Sequence, residues 1–296
     1  MRPDYLEKQG KMFDQLFIAA GPSVWGILLL VIILIAAVIN FIARRSGIKV
    51  AMCQITIIDG DRGGNFLRIE NAVIEAKNKG AGLICFPQAT MLGWLNPDAH
   101  NRARPIPGPD SDRLCELAKR YNVNLCVGLE EKDADRLYNS AILIDEQGQI
   151  LLKHRQINTA SDLMNPPYTP GTDVGTAQTK FGRVGLLICS DTQREDILDR
   201  MKELKPALLL IPCGYAEVGA KWPGHGQQLQ QLVANTARRT GATVVGTNLV
   251  GQITKGPWAG RVYGGQSTAA DKTGKIIAVA KDRDKDITIV SISATK

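Results

Sequence analysis

Beyond Gly47 the sequence predicts an α/β domain of about 250 residues. Short apolar runs, such as residues 82–86 and 207–211, alternate with stretches whose apolar residues recur at helical spacing. The runs are apolar throughout rather than at every second position, as expected of strands covered on both faces. No linker, low-complexity stretch or short repeat divides the segment.

The elements follow in order. Residues 50–55 read as the first strand. Asn65 is placed to cap a helix carrying Phe66, Ile69, Val73 and Ala76 on one face, with Gly80 to end it. A buried strand follows at 82–86. Ser111 starts a second helix, with Leu114, Leu117, Ala118 and Tyr121 on one face. Strands at 123–128 and 139–144 come next. Asp145-Glu-Gln-Gly148 is a hairpin turn, and 149–155 returns.

Val184-Gly-Leu-Leu-Ile-Cys-Ser-Asp191 then forms a strand that stops at Cys189. A polar turn leads to a helix with Ile197, Met201 and Leu204 at i, i+4 and i+7. Residues 207–211 form a strand, a helix runs through Leu229, Leu232, Val233 and Ala237, and 242–247 is another strand. The last two strands, 276–280 and 287–292, flank a solvated charged turn at 281–286. A strand feeding a helix puts its last residue at the sheet's carboxyl edge, where open α/β folds place reactive groups. A cysteine there is either a small buried hydrophobe or a nucleophile.

Residues 1–15 read as an N-terminal tail and 16–43 as a transmembrane helix. The latter stretch has no charged residue, and 24–39 is an unbroken apolar run. About 20 residues span a bilayer's hydrocarbon layer, and a soluble helix rarely stays apolar all round for that length. A cleaved signal peptide has a shorter apolar region and a small-residue cleavage site. Arg2, Lys8 and Lys11 precede the run, and Arg44, Arg45 and Lys49 follow it, so charge count does not orient it. The arginines nearest the bilayer and the unpaired cysteines favour a cytoplasmic domain at 48–296.

Hydrophobic residues make up 44% and charged residues 22%, ordinary for a globular chain. The net charge of +7 is scattered, without a basic run interleaved with aromatics, so no nucleic-acid partner is expected. Cys53, Cys85, Cys115, Cys126, Cys189 and Cys213 form no C-x-x-C pair, and His100, His154 and His225 lie far from ligand spacing. Buried free thiols are expected, with neither metal nor cofactor.

The order of short pieces carries a resemblance. They are Gln54, Gly80-Ala-Gly-Leu-Ile-Cys-Phe-Pro87 with Gly93-Trp94, Ile106-Pro-Gly108, Tyr138-Asn-Ser-Ala141 and Gly148-Gln-Ile150. Ile188-Cys-Ser-Asp191, Asn248-Leu-Val-Gly251 and Gly264-Gly-Gln-Ser267 complete the series. In that order they resemble the nitrilase, or carbon–nitrogen hydrolase, superfamily from about Val50 to Ile292. The resemblance implies a four-layer α-β-β-α sandwich, paired into dimers through its helices and often larger assemblies. It also implies a cysteine that attacks an amide or nitrile carbon, a glutamate that takes the thiol proton, and a lysine that stabilises the oxyanion.

The family's cysteine falls on Cys189. Its glutamate position, after the Phe-Pro pair, holds Gln88, and its lysine position, after Arg155, holds Gln156. The arginine usual after the cysteine is replaced by Gln193, and Asp162 is the only acid between Gln156 and Asp173. A glutamine has no useful pKa for general base work, worth about 10²–10⁴-fold. Losing an oxyanion donor costs about 10²–10³. Removing one side of a buried charge pair costs about 3–5 kcal/mol, whereas replacing both can be neutral, so the two changes make sense together.

Lys153 has an odd offset from Gln156 and would face the other way on a strand. Glu130 and Glu131 are expected on solvated surface. Two readings remain open. One is a membrane-anchored pseudoenzyme, a scaffold or accessory subunit partnered by the bilayer and by further copies or other membrane subunits. The other is an amidase or acyl transferase using Cys189 with non-standard helpers. A sensor that binds small amides without cleaving them is a weaker third.

Overall fold

Side-chain alternation along the first strand sets the plan of the domain. In β1 (Ile48–Gln54), Val50 and Met52 enter one core while Ala51 and Cys53 enter another. The computed structural model describes residues 26–27, 29–34, 47–159, 161–221 and 224–292. The compact unit begins at Ile48.

After β1 come α1 (Arg62–Asn78), β2 (Leu83–Cys85), α2 (Pro109–Tyr121), β3 (Asn124–Asp133), β4 (Arg136–Ile144) and β5 (Ile150–Arg155). The second half holds β6 (Gly175–Thr179), β7 (Gly182–Leu186), α3 (Glu195–Glu203), β8 (Leu208–Pro212), β9 (Ala216–Glu217), α4 (Gly224–Thr240) and β10 (Thr243–Thr247). β11 (Val250–Gln252), β12 (Val262–Gly264), β13 (Thr268–Ala270), β14 (Ile276–Val279) and β15 (Asp286–Ile292) close the chain.

One six-stranded sheet runs β15-β1-β2-β3-β4-β5 and the other β14-β13-β10-β8-β7-β6. Val50, Met52, Leu83, Cys126 and Leu143 of the first share a core with Leu186, Leu208, Leu210 and Val245 of the second. The other face of the first sheet, with Ala51, Ile84, Leu125 and Val127, packs on Phe66, Ile69 and Val73 of α1 and Leu114 and Leu117 of α2. α3 and α4 cover the second sheet through Ile197, Met201, Leu229, Val233 and Ala237. The layers are therefore α-β-β-α, as the resemblance implies.

Several expectations need correction. α1 starts at Arg62, where the Asp61 side chain accepts from the Gly64 N–H. Asn65 lies inside the helix, buried, and ties Ile58 and the Met91 carbonyl together. α2 starts at Pro109, whose missing N–H costs nothing at a first helical position, while the Ser111 hydroxyl bonds back to Gly108. The charged 281–286 turn is solvated, as expected. It carries the chain from β14 in one sheet to β15 in the other. The small sheet β11-β12-β9 was not expected, because its strands are two or three residues long and glycine interrupts them.

Of the expected 16–43 membrane helix, only residues 26–27 and 29–34 are described; they are helical and exposed. The rest of it and the 1–15 tail lie outside the described residues. Among the described residues no helix is long and apolar enough to cross a membrane, so the structure does not support the span.

Candidate functional site

Three connections that leave strands at the facing surfaces of the two sheets build the site. Cys189 follows β7 with a left-handed backbone, φ 39°, a conformation costly for a residue with a Cβ. Asp191, fully buried, holds that turn. One of its oxygens accepts from Ile188 N (2.9 Å) and bonds His154 Nε2 (2.8 Å). The other accepts from Ile157 N (2.9 Å) and Asn158 N (2.8 Å). The Thr192 hydroxyl donates to the Cys189 carbonyl at 2.6 Å.

β7 and β8 are parallel with Leu186 opposite Leu210. Cys189 and Cys213 each follow that pair by three residues, so they emerge side by side. The Cys213 thiol hydrogen-bonds the Cys189 sulfur and pulls the Cys189 pKa down. Burial and the Asp191 charge push it up, while the N–H groups of Gly214 and Ser190 also lower it. The net direction is down, because hydrogen-bond donors aimed at sulfur favour the thiolate. Cys213 moves far up, through that same hydrogen bond, its burial and the charge on Cys189.

Gln88 follows β2, and its N–H donates to the Cys213 carbonyl at 3.2 Å. Gly128 on β3 makes this approach possible, since a Cβ there would lie 2.6 Å from Gln88 Cα. Gln156 follows β5 on the inward face. Its Nε2 donates to Ser190 Oγ (2.9 Å) and the Ile188 carbonyl (3.3 Å). Its Oε1 accepts from Asn139 Nδ2 (3.0 Å) and Gln88 Nε2 (3.4 Å). Gln88 Oε1 is buried and has no partner among the described residues.

The two glutamines and Cys189 line one cavity of about 270 Å³ with Trp94, Leu163, Ser190, Gln193, Gly214, Tyr215, Ala216, His225 and Trp258. Among the described residues that lining holds no Asp, Glu, Lys or Arg. Trp94 and Trp258 meet edge to face at 5.0 Å, and Tyr215 stacks on His225 at 4.0 Å. Burial lowers the His225 pKa.

The structure therefore brings Cys189, Gln88 and Gln156 together and leaves the other sequence candidates aside. Lys153 faces away from Gln156, as its offset implies, and pairs with Glu131 at 2.7 Å. Burial pushes Glu131 up, but Arg155, Lys153 and Ser140 hold it below its ordinary value. Asp162 is exposed and does not line the cavity.

Glu130 and Glu131 are not on solvated surface, as expected from their place near a strand end. Both are 1% exposed, because β4 runs alongside β3 through Asp133. Glu130 shares the inward face with its partner Asn139, and both its oxygens accept from Leu92 N. Burial raises its pKa from 4.5 to about 8. The folded state therefore holds a proton that the unfolded state has released between those values, so stability falls as pH rises through this window. Each unit of the rise costs about 1.4 kcal/mol once the group ionises. Glu130→Gln is expected to flatten this decline in urea midpoints between pH 5 and pH 9. Equal slopes for parent and variant would refute the assignment.

Sequence reasoning missed Asp191 and His154 as positioning groups. It also missed why the distant pieces recur. Gln54 donates to the Lys281 and Asp284 carbonyls and accepts from the N–H and hydroxyl of Ser267. Ser267 donates to or accepts from Asn248, whose side chain clasps Tyr215 at both N–H and carbonyl. The series ends beside Gly214, whose N–H faces the thiol.

Comparison with known proteins agrees with this picture. The family model for carbon-nitrogen hydrolases matches residues 49–296. Nitrilase 3 of Arabidopsis thaliana is 31% identical over 164 residues, 49% of this chain and 47% of that protein. The omega-amidase of Mus musculus is 26% identical over 245 residues, 79% of this chain and 85% of that protein. The chain spans about half the length of several plant nitrilases it matches.

Among solved structures, an amidase from Nesterenkonia sp. superposes with a TM-score of 0.72 at 20% identity, covering 83% of this chain and 90% of that one. A variant of that amidase with glutamine in place of a glutamate has a TM-score of 0.73 at 20% identity, over 84% and 91% of the two chains. It shows covalent addition of the acetamide moiety of fluoroacetamide at the active-site cysteine. With a match running from the first strand onward and the layered fold of a solved amidase, this chain belongs to the carbon-nitrogen hydrolase family.

Proposed function

We propose that this protein captures small uncharged amides in the Cys189 cavity and turns them over slowly or not at all. In this reading it serves as an accessory or scaffold subunit, as a homo-oligomer or with other membrane subunits. The observation that carries it is the Gln88–Gln156 contact beside a retained thiol. Neither side chain exchanges a proton near neutral pH, so neither glutamine can serve as the base or supply an ammonium for the oxyanion. The unpartnered Gln88 Oε1 supports an amide ligand, since a buried acceptor calls for a donor. The uncharged, aromatic-rich lining supports a ligand without formal charge.

The test uses the full chain with small primary amides. Saturating amide is expected to slow iodoacetamide labelling of Cys189, while ammonia release stays at the level of Cys189→Ala. Sustained, Cys189-dependent ammonia release would overturn the reading.

A second reading, an amidase with non-standard helpers, is favoured by the lowered pKa of Cys189. The glutamine variant of the Nesterenkonia amidase supports it too, since its cysteine still takes a covalent adduct. Labelling of Cys189 is expected to inflect below the value of about 8.5 for a free thiol. An acyl-Cys189 adduct found by mass spectrometry after incubation with amides or esters would select this second reading.

Attachment to a bilayer through residues 16–43 is part of the same proposal. It is supported by the charge-free run in the sequence and by the exposure of Ile27, Leu29, Leu30, Val31, Ile32, Ile33 and Leu34. Apolar side chains exposed together call for a cover. The full chain is expected in the membrane fraction after an alkaline wash, with a chain starting at Gly47 in the supernatant. Full-length protein in the supernatant would refute the anchor.

A further inference from the structure

Cys213 does not line the cavity, yet it lies beside Cys189, which does. Cys189 lines the cavity, whereas Cys213 is 1% exposed and lies behind it. Each follows the Leu186–Leu210 pair of neighbouring parallel strands by three residues, so the two leave the sheet side by side, and the Cys213 thiol is the leading influence that lowers the Cys189 pKa. The single Cys213 S–H lies 3.4 Å from the Ile211 carbonyl, an acceptor separate from the Cys189 sulfur.

We propose that Cys189 and Cys213 form a redox couple that reacts with hydroperoxides, Cys189 as the attacking thiol and Cys213 as the resolving one. In the first step the Cys189 thiolate attacks the terminal oxygen of the hydroperoxide. The O–O bond breaks, the leaving oxygen takes a proton and departs as water or an alcohol, and Cys189 becomes a sulfenic acid, oxidised by two electrons. In the second step the Cys213 sulfur attacks the Cys189 sulfur. The S–O bond breaks, the hydroxide takes the Cys213 proton, and water leaves. Two thiols and one hydrogen peroxide thus give one disulfide and two waters. An external thiol reverses the step by exchange.

Three features favour this assignment over two packed hydrophobes. The donors on Cys189, from Cys213, Gly214 and Ser190, favour its thiolate, the form that peroxide oxidises. The cavity admits a small oxidant to Cys189 and not to Cys213. Thiols that leave adjacent strands at one level can reach a bond of about 2.05 Å by a local shift of the two turns. Closing it removes the nucleophile from the cavity, so amide capture and oxidation exclude each other.

The experiment treats the full chain with hydrogen peroxide at a few equivalents, blocks free thiols and maps peptides by mass spectrometry. The Cys213→Ala and Cys213→Ser chains run in parallel. The parent is expected to give a Cys189–Cys213 linked peptide that dithiothreitol reverses. Both variants are expected to lose that link and to carry several-fold more sulfinic acid at Cys189. Cys115, half-buried and remote from the cavity, serves as an internal control whose oxidation does not change. Absence of the linked peptide from the parent overturns the proposal, whether or not the variants fold. Equal sulfinic acid at Cys189 in parent and folded variants also overturns it.

Discussion

Introducing both charges together, Gln88→Glu with Gln156→Lys, is expected to raise hydrolysis of small primary amides by at least about 10³-fold. The two glutamines touch at 3.4 Å and line the same cavity as Cys189, so a carboxylate and an ammonium there would pair with each other and face the thiol. The base and the oxyanion donor act as a unit, so their separate factors do not simply multiply. Each single variant is expected to gain little activity and to lose about 3–5 kcal/mol, because it buries one charge without its partner. The double variant is expected to regain most of that loss. Ammonia release and urea midpoints of the four chains check both parts. A folded double variant no more active than the parent would show that something other than charge at these two positions limits the site.

Asp191→Ala is expected to destabilise the domain by about 4 kcal/mol or more. Its carboxylate, 0% exposed, is bonded to Ile188 N, Ile157 N, Asn158 N and His154 Nε2. Removing it leaves those buried donors unpaired, at about 1–3 kcal/mol each where no water replaces it. Two of the N–H groups belong to the connection after β5 and one precedes Cys189, so the loss also loosens the link between the Gln156 and Cys189 connections. Asp191→Asn keeps the shape but replaces one acceptor oxygen with a donor, and should fall between Ala and parent. A change under about 1 kcal/mol for Asp191→Ala would show that the turn is held elsewhere.

The strand leading to Cys189 was legible because four apolar residues stop at a polar turn, a pattern set by local physics. Gln88 and Gln156 were legible only as departures from an ordered series, since nothing about either glutamine alone marks it. The role of Asp191 was not legible. Its partner His154 is 37 positions away, and they meet because β5 and the β7 connection lie in different sheets stacked face to face. Glu130 and Glu131 misled for a related reason. Consecutive acids near a strand end look solvated, but β4 extends beside β3 and encloses both.

From the sequence alone came the α/β order of elements and the thiol at a strand's edge. These depend on residue type and on periods of two and 3.6, which a chain carries along its length. Tertiary structure alone decided that Cys213 touches Cys189, that Gln88 bonds Gln156, and that Asp191 ties their connections together. Hydrogen bonds act over about 3 Å, and register and sheet stacking, not distance along the chain, decide which atoms come that close.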